Sequence, residues 1–225
     1  MDSVKVVGAG RVGSAVSVRL REQGVRLADA EPELVLLCVP DRAIAETAAA
    51  VPVGPWVAHV SGATPLAALA PHARRFAVHP LQTFTRARGP EQLDGAWAAV
   101  TAEGAEALEV AFAFARLLGL EPFELDDEAH ALYHAGAVVA SNYLVTLYRA
   151  AAALLEEAGA PPEALVPLMR RTIENGFELT GPIARGDWST VDAHLAAIRE
   201  RRPELEDLYR VLAEATSVLH AERVT

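Results

Sequence analysis

The sequence predicts an α/β fold, a doubly wound parallel sheet shortened after its first helix, followed by an all-helical second domain. Three observations carry the prediction. Val4 to Val7 is a short apolar run that leads into Gly8-Ala9-Gly10-Arg11-Val12-Gly13 and then into a helical pattern through Val16 and Leu20. Further short apolar runs alternate with helical patterns as far as Leu125. Beyond Leu125 the strand signal ends, and helical periodicities punctuated by Gly and Pro fill the rest of the chain.

In the opening motif the three glycines have separate tasks. Gly8 allows the turn, Gly10 lets backbone approach a pyrophosphate, and Gly13 lets the helix pack close to the strand. The helix start at Arg11-Val12 offers free N–H groups to an anion. The first helix runs to about Gln23, with Gly24 as its stop. Leu34 to Val39 is continuously apolar, as a strand buried on both faces must be, and Pro40 ends it. Asp41 opens a helix to about Ala50. Strands follow at Trp56–Val60 and Arg75–Val78, separated by a short helix opened by Thr64-Pro65. Leu81 to Gly95 reads as irregular; a strand at Ala96–Thr101, a helix at Ala105–Leu118 and a strand at Glu121–Leu125 complete the first domain. We place that Rossmann-like domain at residues 1–125 and the helical domain at 126–225. The second opens on Asp126-Asp127-Glu128, continues to about Ala158, restarts at Pro161, and after a Gly/Pro loop at 180–187 starts again with Ser189 and Asp192 as a capping pair. Pro203 opens the last helix.

Composition narrows the class. With 52% hydrophobic residues in 225, the chain can bury a sizeable core, and its net charge of −10 argues against nucleic acid as a partner. Lys5 is the only lysine, against 19 arginines. Cys38 is the only cysteine, so neither a disulfide framework nor a thiolate metal cluster is expected, and we read it as a buried strand residue. No membrane span, no signal peptide and a cytoplasmic location are expected, because the first strand begins at once and the apolar runs are short.

The region after Gly24 breaks the pattern. A full dinucleotide site has a second strand ending in an acid that holds the ribose hydroxyls. Asp29 has about the right offset, but only Ala30 to Glu33 separate it from the strand at Leu34. A helical crossover needs a dozen residues or more. Either Asp29 lies in a loop or a short edge strand replaces the usual strand and helix, and the adenosine side of the site is reduced.

Three groups of residues could carry chemistry. The strand ends Gly8-Ala9-Gly10, Cys38-Val39-Pro40, Ser61-Gly62 and His79-Pro80 outline one crevice, where open α/β sheets bind ligands. On the long helix, His134 and Ser141 lie about 20° apart at 100° per residue, with His130 a turn earlier and Asn142 at the edge of that face. Histidine suits proton transfer near neutral pH; the competing reading is a histidine bonded within the inter-domain interface, and zinc at His130 and His134 is the weakest of the three. In the loop at 180–187, Arg185 could grip an anion or simply pair with Asp187.

Gly8-Ala9-Gly10-Arg11-Val12-Gly13, Cys38-Val39-Pro40-Asp41, His59-Val60-Ser61-Gly62, His79 to Phe84, His134 through Ser141-Asn142-Tyr143, and Thr180 to Asp187 with His194 together resemble a bacterial group. That group joins a Rossmann-like domain to a helical C-terminal domain of unknown function. It is distantly similar to ketopantoate reductases, 6-phosphogluconate dehydrogenases and deazaflavin-dependent NADP reductases. The resemblance spans nearly the whole chain and implies NADP(H) binding, oxidoreductase activity and a homodimer formed through the helical domain. Two departures stand out. The lysine those reductases use one turn before Asn142 falls on Val138, and Lys5 is on the first strand, so proton transfer is left to His134, His79 or water. The second departure is the shortened stretch after Gly24.

Two functions follow as expectations. The first is an NADP(H)-dependent oxidoreductase of a small keto or hydroxy acid. The glycine loop (Gly8, Gly10, Arg11, Val12, Gly13) would hold the pyrophosphate, and Cys38-Val39-Pro40 and Ser61-Gly62 would flank the nicotinamide. His134, Ser141, Asn142, His79 and Arg185 would serve the substrate. The second is a non-catalytic binding or regulatory protein that has lost full dinucleotide binding.

Overall fold

The computed structural model describes residues 1–224. Its sheet has seven strands in the order β2-β1-β3-β4-β5-β6-β7: β1 Ser3–Val7, β2 Arg26–Leu27, β3 Leu34–Leu37, β4 Trp56–His59, β5 Arg75–Pro80, β6 Trp97–Ala102 and β7 Glu121–Glu124. Helix α1, Arg11–Glu22, follows β1; α2, Ile44–Ala49, follows β3; α3, Ala105–Leu117, follows β6. Successive side chains of the strands enter two cores, as a strand's period of two requires. Val4, Leu34, Leu36, Ala58, Phe76 and Val78 pack with Val16 and Leu20 of α1 and Phe114 of α3. Val35, Leu37, Val57 and Ala77 pack with Ile44 and Ala48 of α2 and with Leu66 and Leu69.

The second core is the smaller because one crossover helix is missing. Strand β2 pairs only with the start of β1, Val4 facing Leu27, and Leu34 of β3 lies level with Val4 on the other side. The chain therefore needs only residues 28–33 to pass under β1, and both of the expected alternatives are realised: β2 is a two-residue edge strand, and Asp29 lies in a loop.

One expectation for the sheet is corrected. It is mostly parallel, but β6 runs antiparallel to β5. The link at 81–96 holds only a 3-10 turn, Pro90–Leu93, so the chain leaves β5 at its carboxyl end and re-enters the sheet from that same end. Buried Gln92 fastens this link: its side chain accepts from Thr85 N at 2.7 Å and donates to the Arg88 and Gly89 carbonyls at 3.0 and 2.9 Å.

Contacts divide the chain into two compact units, Met1–Ser141 and the residues from Asn142 onward. The first thus takes in α4, His130–Val138. A π-helical turn, Val139–Tyr143, separates α4 from α5, Leu144–Glu157. The second unit adds α6, Leu165–Glu174, α7, Trp188–Arg201, and α8, Glu206–Val224. Helix α7 is capped by Asp187, which accepts from Thr190 N at 3.2 Å, and not by the Ser189/Asp192 pair; Ser189 donates to Asp187 instead. Among the described residues one helix, Asp127–Glu157, is long and apolar enough to cross a membrane by length and composition, its most apolar 18-residue window having mean hydropathy 1.4.

The glycine motif explains itself sterically at two positions. Gly8 has φ +111°, and a Cβ there would lie 2.3 Å from the Cys38 carbonyl oxygen; at Gly13 it would lie 2.0 Å from the Gly8 oxygen. We expect Gly13→Ala to destabilise the fold by about 2 kcal/mol or more, the clash with backbone outweighing the ~1 kcal/mol gained in helix propensity. Gly10→Ala, with open space around its Cβ, should stay within about 0.5 kcal/mol. Urea unfolding checks both, and a wild-type midpoint for Gly13→Ala would refute the contact.

Candidate active site

A cavity of about 430 Å³ opens at the carboxyl ends of β1, β3 and β4, lined by Gly10, Arg11 and Val12, by Cys38-Val39-Pro40 with Asp41, by Val60-Ser61, and by Gln82 and Phe84 of the β5–β6 link. It sits between β1 and β3, where the strand order reverses, the place where open α/β sheets take ligands. The floor is the start of α1. Ser14 N bonds Gly10 O at 3.0 Å, and the N–H groups of Arg11, Val12 and Gly13 precede the helical ladder. Arg11 reaches across to donate to the Phe84 carbonyl at 3.4 Å.

These residues fit one half of a dinucleotide. Among the described residues nothing beyond Gly10's own chain neighbours lies within 4 Å of a Cβ built there, so the cradle is open where backbone should approach a pyrophosphate. The other half lacks its usual wall. Asp29 lies 3.9 Å from Lys5 Nζ, three residues before Gly8 on β1 or roughly 10 Å down the strand, and not at the crevice.

Beside the cavity stands a cluster of rings. His79, in β5, lies against Gly62 at the end of β4; a Cβ at Gly62 would come within 2.8 Å of the imidazole, so only glycine lets the ring sit there. His79 Nδ1 is 2.8 Å from the Tyr133 hydroxyl. The Tyr133 ring packs edge-on against His79 at 5.5 Å and Phe123 at 6.0 Å, and the His134 ring is edge-on to His79 at 6.1 Å. Burial, and then the nearby His134 and His130, push His79 down to about 4, so it is neutral at pH 7. Burial pushes the Tyr133 phenol up to about 12, and the Cys38 thiol also to about 12, so neither ionises near neutrality.

Other expected residues have structural work. Ser61 Oγ donates to Thr64 Oγ1 at 2.9 Å and accepts from Ala63 N and Thr64 N at 3.2 and 3.1 Å, which builds the turn after β4. His130 is buried, donating from Nδ1 to the Gly62 carbonyl at 3.0 Å with Nε2 3.0 Å from the Thr101 hydroxyl, so both nitrogens are engaged. Ser141 donates to the Ala137 carbonyl at 2.7 Å, and it lies on the π-helical turn, across which a spacing of 100° per residue does not carry. In the second unit, Asn142 is exposed, and Arg185 donates to the Thr180 carbonyl at 2.5 Å and not to Asp187.

Three residues were not anticipated. Tyr133 lies three positions after His130 and so shares its helix face, a signal present in the spacing. Asp127 accepts from Leu66 N at 2.8 Å and caps the 3-10 turn Leu66–Leu69 from 61 residues away, which no local pattern announces. His59 is fully buried; Nδ1 accepts from Ser61 N at 3.2 Å, and Nε2 has no partner among the described residues.

The fold and crevice define a Rossmann-like protein with a helical C-terminal region. The family described as a domain of unknown function (DUF2520) matches residues 96–216, more than half of the chain, and the chain belongs to it. None of the curated proteins matches. Among solved structures, the chain is similar to a Bacteroides fragilis protein named provisionally as an NADP oxidoreductase, at 22% identity and TM-score 0.80 over 96% of this chain and 98% of that one. A Thermotoga maritima protein aligns at 22% identity and TM-score 0.77 over 98% of each. An Aspergillus terreus reductive aminase in complex with NADPH and ethyl levulinate aligns at 18% and 0.63 over 96% and 93%. At these identities the likeness establishes the fold.

The buried imidazoles predict an acid sensitivity. Burial, and then His130, holds His59 near 4, against 6.5 for a free histidine. Between these values the unfolded chain binds more protons than the folded one, so stability falls as pH drops from 6.5 towards 4 and is unaffected by His59 above 6.5. The loss is ~3 kcal/mol for His59 alone. Urea midpoints at pH 7 and 4.5 should converge in His59→Gln relative to wild type; an equal fall in both proteins removes His59 as the cause.

Proposed function

We propose that the protein is an NADP(H)-dependent oxidoreductase acting on a small keto or hydroxy acid. The observation that carries this is Gly10. Gly8 and Gly13 are glycines for reasons internal to the fold, whereas the space over Gly10 is open and forms the floor of the crevice. A pyrophosphate seated there would meet the free N–H groups of α1, and the nicotinamide would extend towards Val39-Pro40 and Ser61-Gly62. When bound, that group supplies or accepts a hydride. With no lysine available, proton transfer falls to the cluster of His79, Tyr133 and His134. The Aspergillus terreus enzyme, of like fold, was solved with NADPH, which supports the same cofactor class here.

The shortened β2 favours a second reading, a binding protein for a smaller phosphorylated ligand. Fluorescence titration with NADPH and NADH separates the two. Micromolar NADPH binding, weakened about tenfold or more in Gly10→Ala while its unfolding midpoint is unchanged, supports the oxidoreductase; no binding at millimolar NADPH supports the second reading.

We also propose that a second copy of the chain is the partner, joined through the helical unit. Leu168, Phe177, Val211 and Val218 are each more than half exposed there, more large apolar surface than a lone unit of that size usually leaves in water. Sedimentation equilibrium should give twice the monomer mass, and Phe177→Asp should shift it towards monomer.

A further inference from the structure

We propose that Tyr133 is the catalytic proton donor of this site and that His79 is the relay that reloads it, an inference resting on the oxidoreductase reading above. Its basis is the geometry of one hydrogen bond. His79 Nδ1 and the Tyr133 oxygen are 2.8 Å apart, and two arrangements fill that bond. Either Tyr133 O–H donates to Nδ1, or Nδ1–H donates to the Tyr133 oxygen and leaves the phenolic proton free for a ligand. The first puts the other ring proton on Nε2 and the second leaves Nε2 bare; Nε2 makes no hydrogen bond to the described residues and is not among the buried unpaired atoms, so water can serve it in either case. Only the second leaves Tyr133 a proton to give, and we assign that one.

The surroundings fix this pair in place. Gly62 gives the imidazole its seat, Phe123 and His79 hold the phenol edge-on, and the half-buried hydroxyl stands at the end of β5. His134 touches His79 only by ring edge and shares no hydrogen bond with it. A neutral His79 cannot act as an imidazolium acid at pH 7, whereas a phenol held well above neutrality keeps its proton until an oxyanion develops beside it.

The proton inventory closes. As a substrate carbonyl carbon receives a hydride with its electron pair from the dinucleotide, the carbonyl π pair moves to oxygen. The Tyr133 O–H bond breaks and the new alcohol O–H bond forms. The phenolate takes the Nδ1 proton of His79 as Nε2 takes one from water; once the alcohol has left, Nε2 returns its proton to water, Tyr133 returns its proton to Nδ1 and the phenolic oxygen takes one from water, which restores the starting state with a net gain of one solvent proton. In the oxidative direction each transfer reverses.

Long-range ¹H–¹⁵N spectra of the full-length protein, with His79 assigned by its loss in His79→Gln, read the tautomer directly. A proton on Nδ1 is expected; a proton on Nε2 with Nδ1 unprotonated overturns the proposal. NADPH titration and NADPH-dependent reduction of glyoxylate and pyruvate are then compared in wild type and Tyr133→Phe. We expect NADPH affinity within about twofold and kcat lower by about 100-fold or more. Unchanged kcat, or NADPH affinity lost along with it, overturns the role of Tyr133. Failure of the wild type to bind NADPH is a different result, which defeats the oxidoreductase reading itself while the tautomer is still measured.

Discussion

The close approach of α1 to the strand ends is the constraint on which the rest depends. Gly13 rests on the Gly8 carbonyl and the Cys38 side chain, and Gly8 in turn crowds the Cys38 carbonyl. Three backbone segments, following β1, following β3 and opening α1, therefore meet with only the Cys38 side chain among them. One larger residue at 8 or 13 would lift the helix away and carry its N–H groups off the floor of the crevice. Gly10 is the exception in this junction, since no atom of the described residues demands glycine there.

The second constraint is what the chain omits. With six residues between β2 and β3 there is no helix over the second face of β1, and Lys5 and Val7 line an open groove with Asp29 instead of a packed core. The same omission removes the acid that a longer β2 would carry to the crevice. The far wall is built elsewhere, by the link from β5 to β6. Gln92 fastens that link from within, and Arg11 joins it to the start of α1 through the Phe84 carbonyl. The ligand side of the sheet thus depends on an irregular segment held by one buried amide.

Much of this was legible in the sequence because it is local. The glycine motif, the apolar strands and the Pro and Gly stops fix elements through backbone sterics and burial that act within a few residues. The short count from Gly24 to Leu34 correctly foretold a reduced β2. What escaped depends on distant partners. The reversal of β6 follows from how a helix-free link returns, and the capping of Leu66 by Asp127 joins residues 61 apart. The π-helical turn at Val139–Tyr143 defeated the face arithmetic for Ser141, since uniform helical spacing is an assumption that sequence alone cannot test. Tyr133 differs, because its spacing from His130 was readable and only the chemical prominence of the neighbouring histidines obscured it.

Those residues also explain why the first turns of the long helix group with the sheet. Three side chains near its start make polar bonds to the ends of β4 and β5 and the turn that follows β4: Asp127 to Leu66 N, His130 to the Gly62 carbonyl and Tyr133 to His79. Gly62 is the common point, taking His130 on its carbonyl and the His79 ring against its Cα. Helix α4 carries only one buried residue, His130, so apolar burial contributes little to its placement. Hydrogen bonds are directional and fix a helix in rotation as well as in distance, which a greasy face does less well. A proton donor must be held to within fractions of an ångström, and a helix positioned in this way is suited to hold one.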